Sequence, residues 1–349
     1  MMTAGHIHRS KLLFLFLMAL QASGCLRTGG VEIRPVALSV HKPANVALYV
    51  AVNQDGRGVT YLTAQNFRVY ENGVILDNAQ VELRLLPASA VTARRVALLV
   101  DMSRMLDDEQ RTQLLNGLAA FVGKLRHRQP VSLFAFDGSA QVQFVAEFSR
   151  DLGDKLTETD LGLAKLLAFH RRDSSSRLYS AIVGAATKLD RAMASEKQPL
   201  QHGTLIVIAQ NPDLAGRVSQ PDARKFVQES PHQYFLLTVG KWATETDVSW
   251  LGKTQALRAA SFNTVTSPLD QIAESVENDY FRYYVVSYCS PARTGTRQVT
   301  LEVTVTNDKG QKQSANYSTV FEAKDFGPNC QSNTQPTFMS HLTPRSEDD

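Results

Sequence analysis

The chain has 349 residues, 43% hydrophobic and 20% charged, a composition that provides a globular core and excludes disorder throughout. Lys and Arg number 37 against 34 Asp and Glu, and no basic stripe stands out, so a dedicated nucleic-acid-binding protein is disfavoured. Three cysteines exclude a disulfide-dense scaffold and a cysteine-rich zinc cluster, and the length predicts about two domains.

The N-terminus has the pattern of a secretory signal. Basic residues precede an uninterrupted apolar run over residues 12–20, which is too short to span a bilayer and fits the core of a signal peptide. The small residues Ala-Ser-Gly then lead to Cys25, and this segment resembles the lipobox of bacterial lipoproteins, where the cysteine receives a lipid. We predict a signal peptide over residues 1–24 and a lipidated tether over residues 25–30. The alternative is an ordinary secretory signal, with Cys25 left as a free thiol.

The residue after the cysteine indicates the compartment. It is Leu26 rather than Asp, and by resemblance to lipoprotein sorting in Gram-negative bacteria this favours the outer membrane. We therefore expect a cell-envelope protein that is held at the membrane by its lipid anchor. This compartment is oxidising, and Cys289 and Cys330 remain if Cys25 is lipidated. We expect these two to form a disulfide, although their spacing alone leaves open the alternative of two separate thiols.

Residues 31–92 have the pattern of antiparallel strands. Residues 46–52 are apolar and favour a strand, and an Asn-Gly pair soon after the alternating residues 67–70 is a strong hairpin signal. Residues 81–85 alternate again between apolar and polar side chains. Such alternation is typical of strands with one face buried and one face in water.

Residues 93–282 have the pattern of an α/β domain. Continuous apolar runs, typical of strands buried on both faces, alternate with segments of helical periodicity. Strands are predicted at residues 96–100, 131–136, 142–148, 205–209, 234–239 and 261–265. Helices are predicted at residues 114–125, 178–193, 223–228 and 269–279. This alternation predicts a doubly wound, mostly parallel α/β sheet.

Strand patterns return after the α/β segment, at residues 283–288, 299–305 and 317–322. Neither flank is large enough to close a core alone. We therefore expect residues 31–92 and 283–330 to form one small antiparallel β-sandwich beside the α/β domain. The polar tail at residues 331–349 contains two prolines and is predicted to be disordered.

Several segments resemble, in order, those of von Willebrand factor A-type (VWA) domains. Residues 96–103, Val-Ala-Leu-Leu-Val-Asp-Met-Ser, resemble the family's first strand and metal loop, whose pattern is Asp-x-Ser-x-Ser. Later strands and a helix start of the family are resembled by residues 132–137, 144–151, 178–182 and 205–209. Residues 62–73 resemble a β module that often precedes this domain in bacterial secreted proteins, and residues 284–288 resemble the strand that follows it. The likeness covers roughly residues 45–322 and implies a VWA-type, Rossmann-like sheet.

The resemblance also implies an ion site on the top face of the domain. Family members bind Mg²⁺ or a similar ion there through hydroxyls and carboxylates, and a carboxylate of the ligand completes the shell. Asp101 and Ser103 match the first two positions of the metal loop, and Ser176 is the candidate for the family's Thr. The implied partner is a protein that docks on this top face.

The chain departs from the family at other positions of that site. Met105 stands where the second loop Ser belongs, and a thioether is a poor ligand for Mg²⁺. Gln210 occupies the position of the second acid, and Asp213 compensates only if the loop bends back. We expect at most a weakly bound divalent cation such as Mg²⁺, and otherwise a metal-free loop with Asp101 hydrogen-bonded to backbone at a helix N-terminus.

Sequence motifs of enzymes are absent. The chain contains no G-x-S-x-G, H-E-x-x-H, P-loop or G-x-G-x-x-G motif, and its histidines are scattered. We expect no enzyme, and the first hypothesis is a membrane-anchored VWA-like module that binds a protein, as an adhesin or as a scaffold of an envelope complex. The alternative is an envelope hydrolase with an unrecognised site, since catalytic triads assemble in space. A third hypothesis is a sensory subunit that controls a partner enzyme.

Overall fold

A computed structural model of the chain describes residues 30–149, 156–242, 247–307 and 309–338, with the backbone only for residues 156–161. The predicted signal peptide and Cys25 lie outside the described residues. In chain order the strands and helices are β1 (Val31–His41), β2 (Asn45–Gln54), β3 (Arg57–Gly58), β4 (Phe67–Glu71), β5 (Val74–Ile75), β6 (Arg84–Leu86), β7 (Thr92–Asp101), α1 (Asp108–Leu125), β8 (Val131–Phe136), β9 (Gln143–Phe148), α2 (Leu156–Leu167), α3 (Leu178–Ala194), β10 (Leu200–Ala209), α4 (Gln220–Glu229), β11 (Gln233–Val239), β12 (Gln255–Ala259), α5 (Thr266–Phe281), β13 (Tyr283–Cys289), β14 (Thr296–Thr306) and β15 (Lys312–Glu322).

A six-stranded sheet has the order β12-β11-β10-β7-β8-β9. Neighbouring strands from β12 to β8 run parallel, and β9 is antiparallel to β8 at the edge. Alternate residues of β7 enter opposite cores: Leu98 packs in the core that includes α1, α2 and α5, and Leu99 in the core that includes α3 and α4. Burial on both faces explains why residues 96–100 of β7 are continuously apolar. The predicted α/β fold is confirmed, with a mixed sheet.

Two antiparallel sheets pack against each other beside the α/β part. One has the order β1-β2-β13-β6, with β3 paired to β2, and the other has the order β15-β14-β4-β5. Each sheet therefore combines strands from before and after the α/β segment. Leu48 and Val286 from the first sheet share a core with Val69 and Leu301 from the second. At the predicted hairpin, Asn72 lies in the left-handed region at φ 48°, beside the glycine that separates β4 from β5.

The polar tail departs from its predicted disorder. Residues 331–338 pack against the rest of the chain, so the prediction is wrong there. Phe338 is buried beside Tyr49, with 5.9 Å between ring centroids, and Gln335 Nε2 donates to the Ala90 carbonyl oxygen at 2.8 Å. One aromatic anchor and backbone-directed hydrogen bonds hold a segment whose average composition is polar. Residues 339–349 lie outside the described part of the chain.

Local backbone geometry changes two of the predicted elements. Residues 261–265 are not a strand: Phe262–Thr264 form a 3₁₀ turn whose Phe262 is buried, and the edge strand is β12. Glu82 has φ 49°, which breaks the predicted strand at residues 81–85, so that β6 begins at Arg84. Helix α2 was not predicted. Within the described residues no helix is both long and apolar enough to cross a membrane.

Candidate functional site

The carboxyl ends of β7, β8 and β10 lie at one edge of the six-stranded sheet, because neighbouring parallel strands end on the same side. The loops that follow β7 and β10 meet there with the segment between α2 and α3. We call this edge, formed by residues 102–107, 169–177 and 210–218, the top face. Helix α1 begins at it, and Asp107 caps the helix by accepting a hydrogen bond from the Gln110 backbone at 2.8 Å.

Asp101, the residue expected to begin the metal loop, is buried at the centre of the top face. Its Oδ1 accepts a hydrogen bond from the Ser103 backbone at 2.9 Å. Its Oδ2 accepts from the backbones of Gln210 and Asn211 at 3.1 and 3.2 Å. Burial raises the pKa of this carboxyl, and the hydrogen bonds from Ser103, Gln210 and Asn211 oppose the rise. Both oxygens of Asp101 are therefore engaged in joining two loops.

The side chains of Gln210 and Asn211 reinforce the same junction. Gln210 Nε2 donates to the Asp101 carbonyl oxygen at 2.8 Å, and Asn211 Nδ2 donates to Ser103 Oγ at 2.7 Å. An amide nitrogen that donates a hydrogen bond is not a ligand for a hard cation. At the position where the sequence resemblance predicts a second acid, Gln210 thus adds a donor to the junction rather than an oxygen ligand. The role of Asn211 was not predicted.

Asp213 does not bend back towards Asp101. Its Oδ1 accepts from the Tyr179 backbone at 3.0 Å, and the backbones of Leu178 and Gly216 also donate to its carboxylate. Burial raises the pKa of the Asp213 carboxyl, and these hydrogen bonds oppose the rise. The residue therefore caps the first turn of α3, where orphan backbone N–H groups need acceptors.

The remaining predicted ligands do not complete an ion site. Ser176 is fully buried, and its hydroxyl has no hydrogen-bond partner among the described residues, so one oxygen remains available. The side chain of Met105 is 74% exposed. No group of three or more His, Cys, Asp or Glu residues in the described part of the chain could hold a metal. Mg²⁺ requires near-octahedral oxygen coordination, and the donors around Asp101 do not fit it.

A second acid at the top face, Asp137, was not predicted as a functional residue. Its Oδ1 accepts from the Ser139 backbone at 2.7 Å, and its Oδ2 accepts from the Arg172 backbone at 2.7 Å. Burial alone would raise the pKa of Asp137, but the hydrogen bonds from Ser139, Arg172 and Asp173 lower it below the ordinary value. Asp137 thus fixes residues 169–177 to the end of β8. Its sequence signal is an acid directly after a buried strand.

A cavity of about 210 Å³ opens beside the Asp101 junction. We call it the arginine groove, and its lining residues are Met102, Arg104, Met105, Leu106, Arg111, Leu167, Phe169, His170 and Arg171. Arg171 Nη1 donates to the Ser103 carbonyl oxygen at 3.2 Å, and Arg111 Nε donates to the Leu106 carbonyl oxygen at 3.1 Å. The groove was not predicted, because its residues come from separate parts of the chain.

The cysteines after residue 25 are paired as predicted. Cys289 and Cys330 form a disulfide, with 5.8 Å between their Cα atoms. Cys289 is the last residue of β13, and Cys330 follows β15, so the bond joins the end of β13 to the segment after β15. This pair lies in the β-sandwich and contributes nothing to the top face.

No protein-family model and no curated protein matches the chain. A von Willebrand factor type A structure from Catenulispora acidiphila is 8% identical over 84% of this chain and 73% of that chain, with a TM-score of 0.43. The manganese-loaded TRAP protein of Plasmodium vivax is 9% identical over 70% of this chain and 98% of that chain, with a TM-score of 0.40.

The vWF domain of the type V pili tip protein Mfa5 from Porphyromonas gingivalis is also similar. It is 10% identical over 54% of this chain and 97% of that chain, with a TM-score of 0.37. These structures of von Willebrand factor A-type proteins are similar to the chain, with TM-scores below 0.5.

Proposed function

We propose that the chain is a protein-binding module that docks its partner through the top face. The observation that carries this proposal is a pair of exposed apolar side chains on two different loops of that face. Met105 is 74% exposed and Leu214 is 65% exposed. Methionine and arginine are enriched at protein interfaces, and Arg104 and Arg217 are exposed on the same loops. A protein partner would remove the apolar side chains from water.

The loops of the top face are held in place before any partner arrives. Asp101 joins the loop after β7 to the loop after β10, and Asp137 joins the end of β8 to residues 169–177. Arg171 links those residues back to Ser103. Binding costs less when the interacting loops are already ordered. The hydrogen bonds between these loops therefore support a docking role for the top face, rather than a role as a flexible tether.

The docking proposal predicts where a partner will cross-link. A photo-reactive residue at Met105 or at Leu214 should capture the same protein in intact cells, since both positions belong to one interface. Val320, which is 60% exposed on β15, is the matched control and should not capture it. Products are identified by mass spectrometry. Capture of the same protein from all three positions, or of none, contradicts the proposal. An envelope protein as the captured partner supports a scaffold, and a protein of another cell supports an adhesin.

We further propose that the chain is lipid-anchored at Cys25 in the cell envelope, at the outer membrane of a Gram-negative bacterium. The support is the apolar run at residues 12–20 followed by small residues and a cysteine. Replacing Cys25 with alanine should move the protein from the membrane fraction to the soluble fraction, because the acyl chains provide stable anchoring. Leu26→Ala keeps the acceptor cysteine and should leave the protein in the membrane fraction. Retention of Cys25→Ala in membranes after a high-salt wash contradicts the proposal.

The role we propose is not enzymatic. Two histidines lie beside carboxylates: His232 Nε2 is 2.6 Å from Asp190 Oδ1, and His202 Nε2 is 3.1 Å from Asp279 Oδ2. His232 is 3% exposed and packs so closely on Gly203 that a Cβ there would lie 2.5 Å from its Nδ1. None of the serine hydroxyl contacts within the described residues involves either ring. Both pairs therefore support a structural role for these histidines.

A further inference from the structure

We infer that the arginine groove binds an acidic protein segment, in which a carboxylate side chain lies next to an apolar one, and that it does so without a metal ion. This inference rests on the docking role proposed above and names the chemistry of the partner. It concerns a cavity beside the Asp101 junction rather than the predicted ion ligands themselves.

The arginine groove is positively charged. Arg104, Arg111, Arg171 and His170 line it, and no carboxylate does so among the residues that the structure describes. The ion pairs formed within the described chain include none of these three arginines. A guanidinium group presents a planar fork of donors that matches a carboxylate. Positive charge without an internal counter-charge at a docking face favours an anionic occupant.

Two of the guanidinium groups are already oriented. Arg171 uses Nη1 on the Ser103 carbonyl, and Arg111 uses Nε on the Leu106 carbonyl. Each guanidinium has five N–H donors, so most of them remain available to an incoming carboxylate. The backbone carbonyls restrict the side chains, which lowers the ordering cost of binding. Arg104 is exposed at the rim and supplies a third cation.

The apolar lining and the volume define the rest of the occupant. Met102, Leu106, Leu167 and Phe169 provide apolar surface within the same cavity. A volume of about 210 Å³ is below the roughly 300–1,000 Å³ of pockets that enclose whole small molecules. The occupant is therefore one or two side chains of a protein segment. An isolated phosphate group would satisfy the arginines but would leave the apolar lining unused, which favours a carboxylate with an aliphatic neighbour.

The test measures peptide binding to the full-length protein in detergent. The probe is a fluorescent, end-blocked peptide containing Leu-Glu-Glu-Leu, and its control carries Gln for each Glu. Fluorescence anisotropy should show the Glu peptide binding at least about tenfold more tightly than the Gln peptide, since hydrogen bonds to charged groups are worth about that factor or more. Adding EDTA should leave the Kd unchanged.

Substitutions locate the site. Arg104→Gln should weaken binding of the Glu peptide about tenfold, because it removes a charged donor at the groove. Arg57→Gln is the matched control: Arg57 is exposed on β3, in the β-sandwich, and its loss changes net charge by the same amount. It should change the Kd less than about twofold. A circular dichroism melt of each variant confirms that the fold is retained.

Four outcomes would overturn the inference: equal weakening by Arg57→Gln, loss of binding in EDTA, tighter binding of a phosphoserine peptide or an oligonucleotide, or no binding of the Glu peptide. The cross-linking experiment separates this from the docking role. If the Glu peptide does not bind while Met105 and Leu214 still capture one partner, the groove inference fails and docking stands. If arginine-dependent peptide binding is found without any common cross-linked partner, docking fails and the groove remains an acidic-peptide site.

Discussion

Replacing Asp279 with asparagine is expected to lower the free energy of unfolding by about 3–5 kcal/mol, the cost of removing one partner from a buried ion pair. The Asp279 side chain is 7% exposed, and its Oδ2 lies 3.1 Å from Nη1 of Arg94, which is 6% exposed. Arg282, three residues on, also pairs with this carboxylate. Asparagine would leave the buried Arg94 guanidinium without a counter-charge. Urea denaturation of the two proteins measures the difference.

The protonation states around Asp279 give this prediction a pH dependence. Burial alone would raise the pKa of Asp279, but His202, Arg282 and Arg94 together hold it well below its ordinary range. Burial lowers the pKa of His202, and its hydrogen bond to Asp279 opposes that change. A carboxyl group whose pKa is lowered by folding stabilises the fold at pH values above its unfolded pKa of about 3.9. This stabilisation is lost progressively as the pH falls below that value. The difference between wild type and Asp279→Asn should therefore shrink below about pH 4.

An exposed pair supplies the control for Asp279. Asp270 pairs with Lys124 at the surface, where the two side chains are 46% and 37% exposed. Because solvent screens such pairs, Asp270→Asn should cost less than about 1 kcal/mol. The two substitutions remove the same charge from the same helix, α5, so a similar loss of stability in both would contradict the importance assigned to the buried network.

Removing the disulfide is expected to cost about 4 kcal/mol. Cys289 and Cys330 are separated by 41 positions, and closing a loop of that length lowers the entropy of the unfolded chain by about this amount. The double variant Cys289→Ser with Cys330→Ser should therefore unfold at a lower urea concentration than the oxidised wild type. Dithiothreitol should lower the midpoint of the wild type and leave the variant unchanged. An unchanged midpoint in the double variant would contradict the prediction.

Continuous patterns in the sequence predicted much of the fold. The runs in β7, β8, β10 and β11 are mostly apolar, since both faces of the sheet are covered, and that pattern needs no tertiary information. The cysteine pair followed from an even count in an oxidising compartment. Residues 331–338 were missed because a single buried aromatic, Phe338, holds a segment that is otherwise polar.

The candidate site was less accessible to sequence reasoning. The departures from the VWA metal-site pattern at Met105 and Gln210 are visible in the sequence. The contact between Asn211 and Ser103, in contrast, depends on how two distant loops meet. The arginine groove combines side chains from the loop after β7, from α1 and from the segment after α2. No local period or motif connects Arg104 to Arg171. Such a site becomes visible only once the strands have brought their carboxyl ends together.

The interleaving of the sandwich strands sets an order of assembly during synthesis. Strand β2 pairs with β1 and with β13, and β4 pairs with β5 and with β14, so each of these two strands has one edge whose partner emerges only after the whole α/β segment. The α/β segment itself, from β7 to α5, contains all strands of its own sheet. It can therefore fold while the flanking strands are still unpaired, and its completion brings the two flanks to the same place. Rapid folding of the inserted α/β segment shortens the time during which one edge of β2 is unpaired. It thereby limits edge-to-edge aggregation of the N-terminal strands.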